Sequence, residues 1–170
     1  MKHMLIATLL LLGATTALKA QSEKVPDFYN PQANAKADIA AAVKQAQREN
    51  KHVLLQVGGN WCVWCKRLYK FVNDRPQLKQ AQEKNYVVYH LNYSKENENL
   101  DVLKGLGFPQ RFGFPVIVIL DAKGNRLHTQ NTALLESADS YDEKKVEGMF
   151  TDWAPAALAP ARYVKKAAAK

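Results

Sequence analysis

The sequence predicts an α/β fold: a central mixed sheet, mostly parallel with an antiparallel hairpin towards the C-terminal end, flanked by helices. Three observations predict it. Segments with a helical apolar repeat alternate with short apolar runs, and strands separated by helices imply parallel neighbours. The last two runs are joined only by the turn cluster Asp121-Ala122-Lys123-Gly124-Asn125, a link too short for a crossover, so they return antiparallel. The chain has 170 residues, 47% hydrophobic and 24% charged, which suits one domain with a real core and excludes wholesale disorder.

The first twenty residues stand outside that pattern. Lys2 and His3 open them, Met4 to Leu12 is an almost unbroken apolar run, and small residues lead to Ala17 and then Leu18-Lys19-Ala20. This is the three-part layout of a secretory signal peptide, cut after Ala20 or Ala17, and its apolar run is too short for a stable membrane span. The expected organisation is a signal peptide over residues 1–20, an extended lead-in over 21–35, a folded domain over 36–154 and an Ala/Pro/Lys-rich tail over 155–170. The rival, a retained membrane anchor, is disfavoured by that short run.

Pro26 and Pro31 break any helix in the lead-in. Residues 38–50 predict a helix with Ile39, Val43 and Ala46 on one face. Val53 to Val57, ended by Gly58-Gly59, suits a strand buried on both faces. From Asn60 or Trp61 a second helix begins, with Trp61, Cys65, Leu68 and Val72 at helical spacing; Pro76 interrupts it and residues 77–84 continue as a kinked piece. Tyr86 to Leu91 is a strand, and residues 97–106 a short helix ended by Gly105 and Gly107. Val116 to Leu120, entered through Pro115, is the clearest strand, and Arg126 to Gln130 returns beside it. Ser140 with Glu143 three residues on has the form of a capping box for a helix that buries Val146, Met149, Phe150 and Trp153.

The formal net charge is +8, with basic clusters only at Lys66-Arg67 and Lys165-Lys166. No basic stripe interleaved with aromatics points to nucleic acid, so the charge is assigned to solubility and no nucleic-acid partner is expected. The two cysteines are more telling. Cys62 and Cys65 are the only ones, so the chain is not a disulfide-stapled scaffold, which would carry more of them further apart. A bridge between them closes almost no loop and adds little stability through chain entropy. Their use therefore lies in chemistry.

Their position suits that chemistry. A buried strand delivers Cys62 to the first turn of a helix, where unpaired N–H groups and the helix dipole stabilise a thiolate. Cys62 is expected exposed and reactive; Cys65, one turn on and deeper, lies within disulfide reach. Cys62 then attacks a substrate disulfide, and Cys65 displaces the substrate from the mixed disulfide; the reverse sequence oxidises a substrate. A metal site is the rival, but a structural zinc wants four ligands, and His52, His90 and His128 form no close pair. No metal is expected. Two inert core cysteines are a further alternative, against which stand Trp61 and Trp64 directly after Gly58-Gly59.

Gly58-Gly59-Asn60-Trp61-Cys62-Val63-Trp64-Cys65-Lys66, followed about fifty residues later by Gly113-Phe114-Pro115 at a strand entrance, resembles the thioredoxin superfamily. The nearer likeness is to exported bacterial thioredoxin-like proteins of the Trp-Cys-x-x-Cys-Lys type, over about residues 36–154. The resemblance implies a thioredoxin-like fold and a cofactor-free thiol–disulfide oxidoreductase acting on protein disulfides, with Cys62 the attacking and Cys65 the resolving catalytic residue. It makes Pro115 the counterpart of the family's cis-proline, beside which the backbone of Phe114 pairs with a substrate strand. Trp61, Val63, Trp64, Phe114 and Pro115 are thus the expected substrate-binding residues, with Phe112 as a further part of an apolar rim.

Two departures from the family matter. Gln56 stands where thioredoxins carry a buried Asp, and an amide cannot take and return a proton, so deprotonation of Cys65 falls to water or another group. Val63-Trp64 between the cysteines brings no His to hold the reduced state. The protein is therefore expected to be a reductase or isomerase rather than a primary oxidase, periplasmic or secreted. Its expected partners are proteins bearing thiols or disulfides and a membrane thiol-electron carrier; the oligomeric state is not indicated. The alternative is a non-catalytic thioredoxin-fold binding or chaperone module that uses the aromatic rim, a role Gln56 favours.

Overall fold

A computed structural model describes residues 25–164; the expected signal peptide and residues 165–170 of the tail lie outside them. Its helices are α1 (Ala35–Glu49), α2 (Val63–Asn73), α3 (Pro76–Asn85), α4 (Leu100–Gly105) and α5 (Glu143–Asp152). Its principal strands are β1 (His52–Gly58), β2 (Tyr86–Asn92), β3 (Val116–Leu120) and β4 (Arg126–Asn131), and residues 136–137 and 140–141 make a minor hairpin. Among the described residues no helix is long and apolar enough to cross a membrane.

The sheet is mixed, in the order β2-β1-β3-β4. β1 runs parallel to β2, His52 opposite Tyr86, but antiparallel to β3, Val57 opposite Val116. β3 and β4 are antiparallel. The expectation of a mostly parallel sheet is thus corrected: one of these three pairings is parallel. The cause is the link from β2 to β3. A seven-residue strand such as β2 is roughly 23 Å long, whereas the six-residue α4 rises only about 9 Å. The link does not carry the chain back to the far end of the sheet, and β3 starts where β1 ends. That brings Pro115 to the C-terminal end of β1.

Every residue of β1 and β3 is buried. Successive side chains point to opposite faces. Val53, Leu55, Val57, Val116, Val118 and Leu120 meet Ala42 and Ala46 of α1 and Leu103 of α4 on one face. Leu54, Ile117 and Ile119 meet Leu68, Phe71, Leu78, Val146 and Phe150 of α2, α3 and α5 on the other. The result is a three-layer sandwich of helix, sheet and helix.

The helix ends follow local chemistry. Asn34 caps α1 by accepting the Ala37 N–H at 3.1 Å, so the helix starts earlier than its apolar periodicity indicates. Pro76 opens the separate helix α3 at its first position, where its missing N–H costs no bond. The cap of α5 is Asp142, which accepts the Lys145 N–H at 2.9 Å; Ser140 belongs to the minor hairpin, which corrects the expected capping box. Beyond α5 the described part of the tail forms turns, with the Tyr163 hydroxyl donating to the Ala157 carbonyl at 2.6 Å.

Candidate active site

β1 delivers the chain through Gly58-Gly59 to Cys62, which is the cap of α2 rather than a residue within it. Its backbone is extended, and its Sγ accepts the Cys65 N–H at 3.1 Å. The sulfur thus occupies the place that a Ser or Asp oxygen takes at other helix starts, among N–H groups that favour negative charge. Cys62 and Cys65 are joined as a disulfide, with an S–S distance of 2.12 Å and Cα atoms 5.2 Å apart. The first turn of α2 holds no acidic residue. Lys66 Nζ is drawn to Asp27 Oδ1 at 2.8 Å and the Arg67 guanidinium lies over the Trp64 ring at 4.7 Å, so each cation has another partner. Stabilisation of a Cys62 thiolate therefore rests on the helix terminus.

The expectation of an exposed Cys62 is corrected. In the disulfide state Cys62 is 4% exposed and Cys65 0%. The order of depth is as expected, but both are covered, because Sγ of Cys62 turns inward to meet Cys65 and because Phe28, Trp64 and Phe114 pack around the pair with Tyr29. Trp61 is 57% exposed and stands edge-on to Phe114, with ring centroids 5.5 Å apart. It precedes α2 instead of sharing its buried face, and its indole N–H donates to the Tyr93 carbonyl at 2.8 Å. Gly59 permits that fold-back, since a Cβ there would run into the indole. Val63 is 61% exposed. Trp64 is half-buried between Arg67 and Tyr141, whose hydroxyl donates to the Trp64 carbonyl at 3.2 Å. Phe112 stands apart under the Arg111 guanidinium, 4.2 Å from its ring centre.

The Phe114–Pro115 peptide is cis, and β3 begins at the next residue. The Phe114 ring stacks on Tyr93 at 4.8 Å, and the Thr132 hydroxyl donates to the Pro115 carbonyl. Among the described residues the N–H and C=O of Phe114 have no protein partner.

Several neighbours escape sequence reasoning. Tyr29, from the lead-in, is 3% exposed and packs on both cysteines. Asn60 holds that segment: its Oδ1 accepts the N–H groups of Phe28 at 3.2 Å and Tyr29 at 3.0 Å, and its Nδ2 donates to the Tyr29 carbonyl at 2.8 Å. Gln56 Nε2 donates to the Tyr29 hydroxyl oxygen at 2.9 Å and to the Cys65 carbonyl at 3.4 Å. His90, opposite Gln56 on β2, sits among the rings of Phe28, Tyr29 and Tyr69, and burial lowers its pKa to about 4. Burial also pushes the Tyr29 phenol well above its ordinary range. The only local signal for the segment is a Phe28-Tyr29 pair in an otherwise polar, Pro-flanked stretch.

Among the described residues no three His, Cys, Asp or Glu side chains are grouped to hold a metal ion. The His52 ring shares a hydrogen bond with the Trp153 carbonyl at 2.8 Å, and His128 stacks on the Trp153 ring at 4.2 Å.

A Cys62–Cys65 disulfide at a helix start, on a sheet flanked by helices, is an arrangement suited to thiol–disulfide exchange. A family model described as thioredoxin-like matches residues 34–122, more than half of the chain, and the protein belongs to this thioredoxin-like family. The chain is 28% identical over 82 residues to the thiol:disulfide interchange protein DsbD of Cronobacter sakazakii, covering 48% of this chain and 14% of that protein. Against DsbD of Salmonella paratyphi A it is 34% identical over 80 residues, covering 46% and 13%. The chain thus matches only a small part of the length of these relatives. Among solved structures, a disulphide isomerase from Xylella fastidiosa Temecula1 superposes with a TM-score of 0.65 at 23% identity, covering 73% of this chain and 94% of that one. The reduced C-terminal domain of Neisseria meningitidis DsbD superposes with a TM-score of 0.50 at 20% identity, covering 69% and 96%. Both likenesses concern the fold.

Proposed function

We propose that this protein reduces or isomerises disulfides of other proteins outside the cytoplasm, with Cys62 attacking and Cys65 resolving. The observation that carries the proposal is the Cys62 sulfur seated as the cap of α2, accepting the Cys65 N–H while bonded to Cys65 itself. In the reduced protein the same seat favours the Cys62 thiolate. That thiolate attacks one sulfur of a substrate disulfide, forming the mixed disulfide and releasing the other substrate sulfur as a thiolate that takes a proton from solvent. Cys65, deprotonated, then attacks Cys62 Sγ; the Cys62–Cys65 bond forms, the bond to substrate breaks, and two electrons have passed to the substrate.

Exposed Trp61 and Val63 give an unfolded or extended substrate an apolar landing surface, beside half-buried Trp64 packed against the cysteines. The unpartnered peptide groups of Phe114, before Pro115, are suited to receive a substrate strand. Export rests on the signal-peptide pattern of residues 1–20. An exported reductase must be recharged, and a membrane protein carrying electrons on thiols is the partner this chemistry requires.

With a disulfide-bonded protein substrate and an excess of a small dithiol, the wild type is expected to accelerate reduction. Cys62→Ala should fall to the uncatalysed rate, and reduced Cys65→Ala, freed of the dithiol before it meets the substrate, should accumulate a covalent substrate adduct on non-reducing gels. Full activity in Cys62→Ala overturns the mechanism. Equilibration with glutathione tests direction: a potential near that of strong oxidants, roughly −120 mV, overturns the reductase assignment.

The second reading, a binding module without turnover, is favoured by Gln56 and by the cover over Cys62. Alkylation of the reduced protein across pH separates the two. A Cys62 that titrates like an ordinary thiol, near about 8.5, supports binding alone.

A further inference from the structure

We propose that Tyr29, oriented by Gln56, donates its hydroxyl hydrogen to the sulfur of Cys65 and is the positioning residue for the resolving thiolate; the proposal rests on the dithiol reading above. It answers a need the site itself sets. Cys65 is 0% exposed, so a thiolate there has no water to solvate it and requires a donor from the protein. Tyr29 Oη and Cys65 Sγ are neighbours: both crowd the place that a Cβ on Gly58 would take, Tyr29 Oη at 2.8 Å from it. Glycine at 58 keeps open the space that both atoms border.

Gln56 sets the direction of the phenol hydrogen. The Cys65 carbonyl can only accept, which fixes the nitrogen of the Gln56 amide on this side. The same nitrogen donates to Tyr29 Oη at 2.9 Å. The hydroxyl oxygen is thereby used as an acceptor, and its own hydrogen is left to point elsewhere, with the sulfur at hand. A carboxylate at position 56 would do the opposite, drawing the phenol hydrogen to itself. The burial that raises the Tyr29 phenol keeps it protonated, so it serves as a donor and not as a base. The Cys65 proton ends in solvent; Tyr29 gives up none.

The segment that carries Tyr29 is tied down on both sides of it. Asn60 holds residues 28 and 29, Lys66 meets Asp27 at 2.8 Å, and Asn97 Nδ2 donates to the Pro31 carbonyl at 3.1 Å. The phenol is therefore held in place before substrate arrives, as a positioning group must be.

The test mixes the reduced full chain with one equivalent of a symmetric chromogenic aromatic disulfide in stopped flow. The first release of coloured thiolate reports attack by Cys62, and the second reports displacement by Cys65. In Tyr29→Phe the second phase is expected to slow about tenfold near neutral pH, with its pH midpoint raised by about one unit, while the first phase keeps its midpoint. Gln56→Leu, which keeps Tyr29 but not its orientation, is expected to move the second midpoint the same way by less, and it carries the test if Tyr29→Phe does not fold. A role for Tyr29 in packing alone lowers thermal stability and leaves the second midpoint in place; that result overturns the proposal. A wild type with no second phase overturns the dithiol reading, and this proposal with it.

Discussion

His90 shows how one residue beside the site ties stability to pH. Its ring lies 4.6 Å from that of Phe28 and close to Tyr29 and Tyr69, a setting that accepts the neutral imidazole only. Burial lowers its pKa from 6.5 to about 4. The unfolded chain binds a proton there as pH falls below about 6.5, while the folded chain does not until about 4. The contribution is thus complete above the unfolded value and is lost as pH drops through this window, on the order of 3 kcal/mol in all. In His90→Phe, urea denaturation between about pH 7 and pH 4 should give a flatter dependence of stability on pH than the wild type. An unchanged slope removes His90 as the source.

At the scale of elements, the lead-in behaves as part of the site. Residues 25–34 have no regular hydrogen-bond ladder of their own, and Asn60 supplies what a strand partner otherwise would. Asn60→Ala leaves two N–H groups and one carbonyl unmatched in partly buried positions. The expected cost is about 2 kcal/mol in chemical denaturation, accompanied by faster hydrogen exchange at Phe28 and Tyr29 than elsewhere in the chain. Uniform loss of protection would mean that the segment opens only with the whole domain. The helix boundaries tell a related story. Asn34, Asp142 and Cys62 set the starts of α1, α5 and α2 through side-chain caps that apolar periodicity does not register.

Across the whole molecule, the alternation of helix and strand, the two wholly buried strands and the dithiol at a strand–helix junction were legible in the sequence, because each is written in local spacing. The direction of β3 was not, since it depends on where a long link leaves the chain in space. Nor was Tyr29, whose place is set by an amide 31 residues away. The cover over Cys62 likewise needs Phe114 from another strand entrance. The thioredoxin-like match spans residues 34–122, and the structure says what lies beyond that stretch. A protein trimmed to those residues lacks β4, leaving β3 a bare edge, and lacks Val146, Met149 and Phe150 from the core; it is expected to aggregate on purification. A milder trim that starts at Asn34 and keeps everything after it retains both sheet faces but removes Phe28 and Tyr29 from the cover over the sulfurs, leaving Trp64 and Phe114. Its disulfide should be reduced faster by dithiothreitol than that of the intact chain, so the short stretch ahead of the first helix governs which reductants, bulky or small, reach the bond.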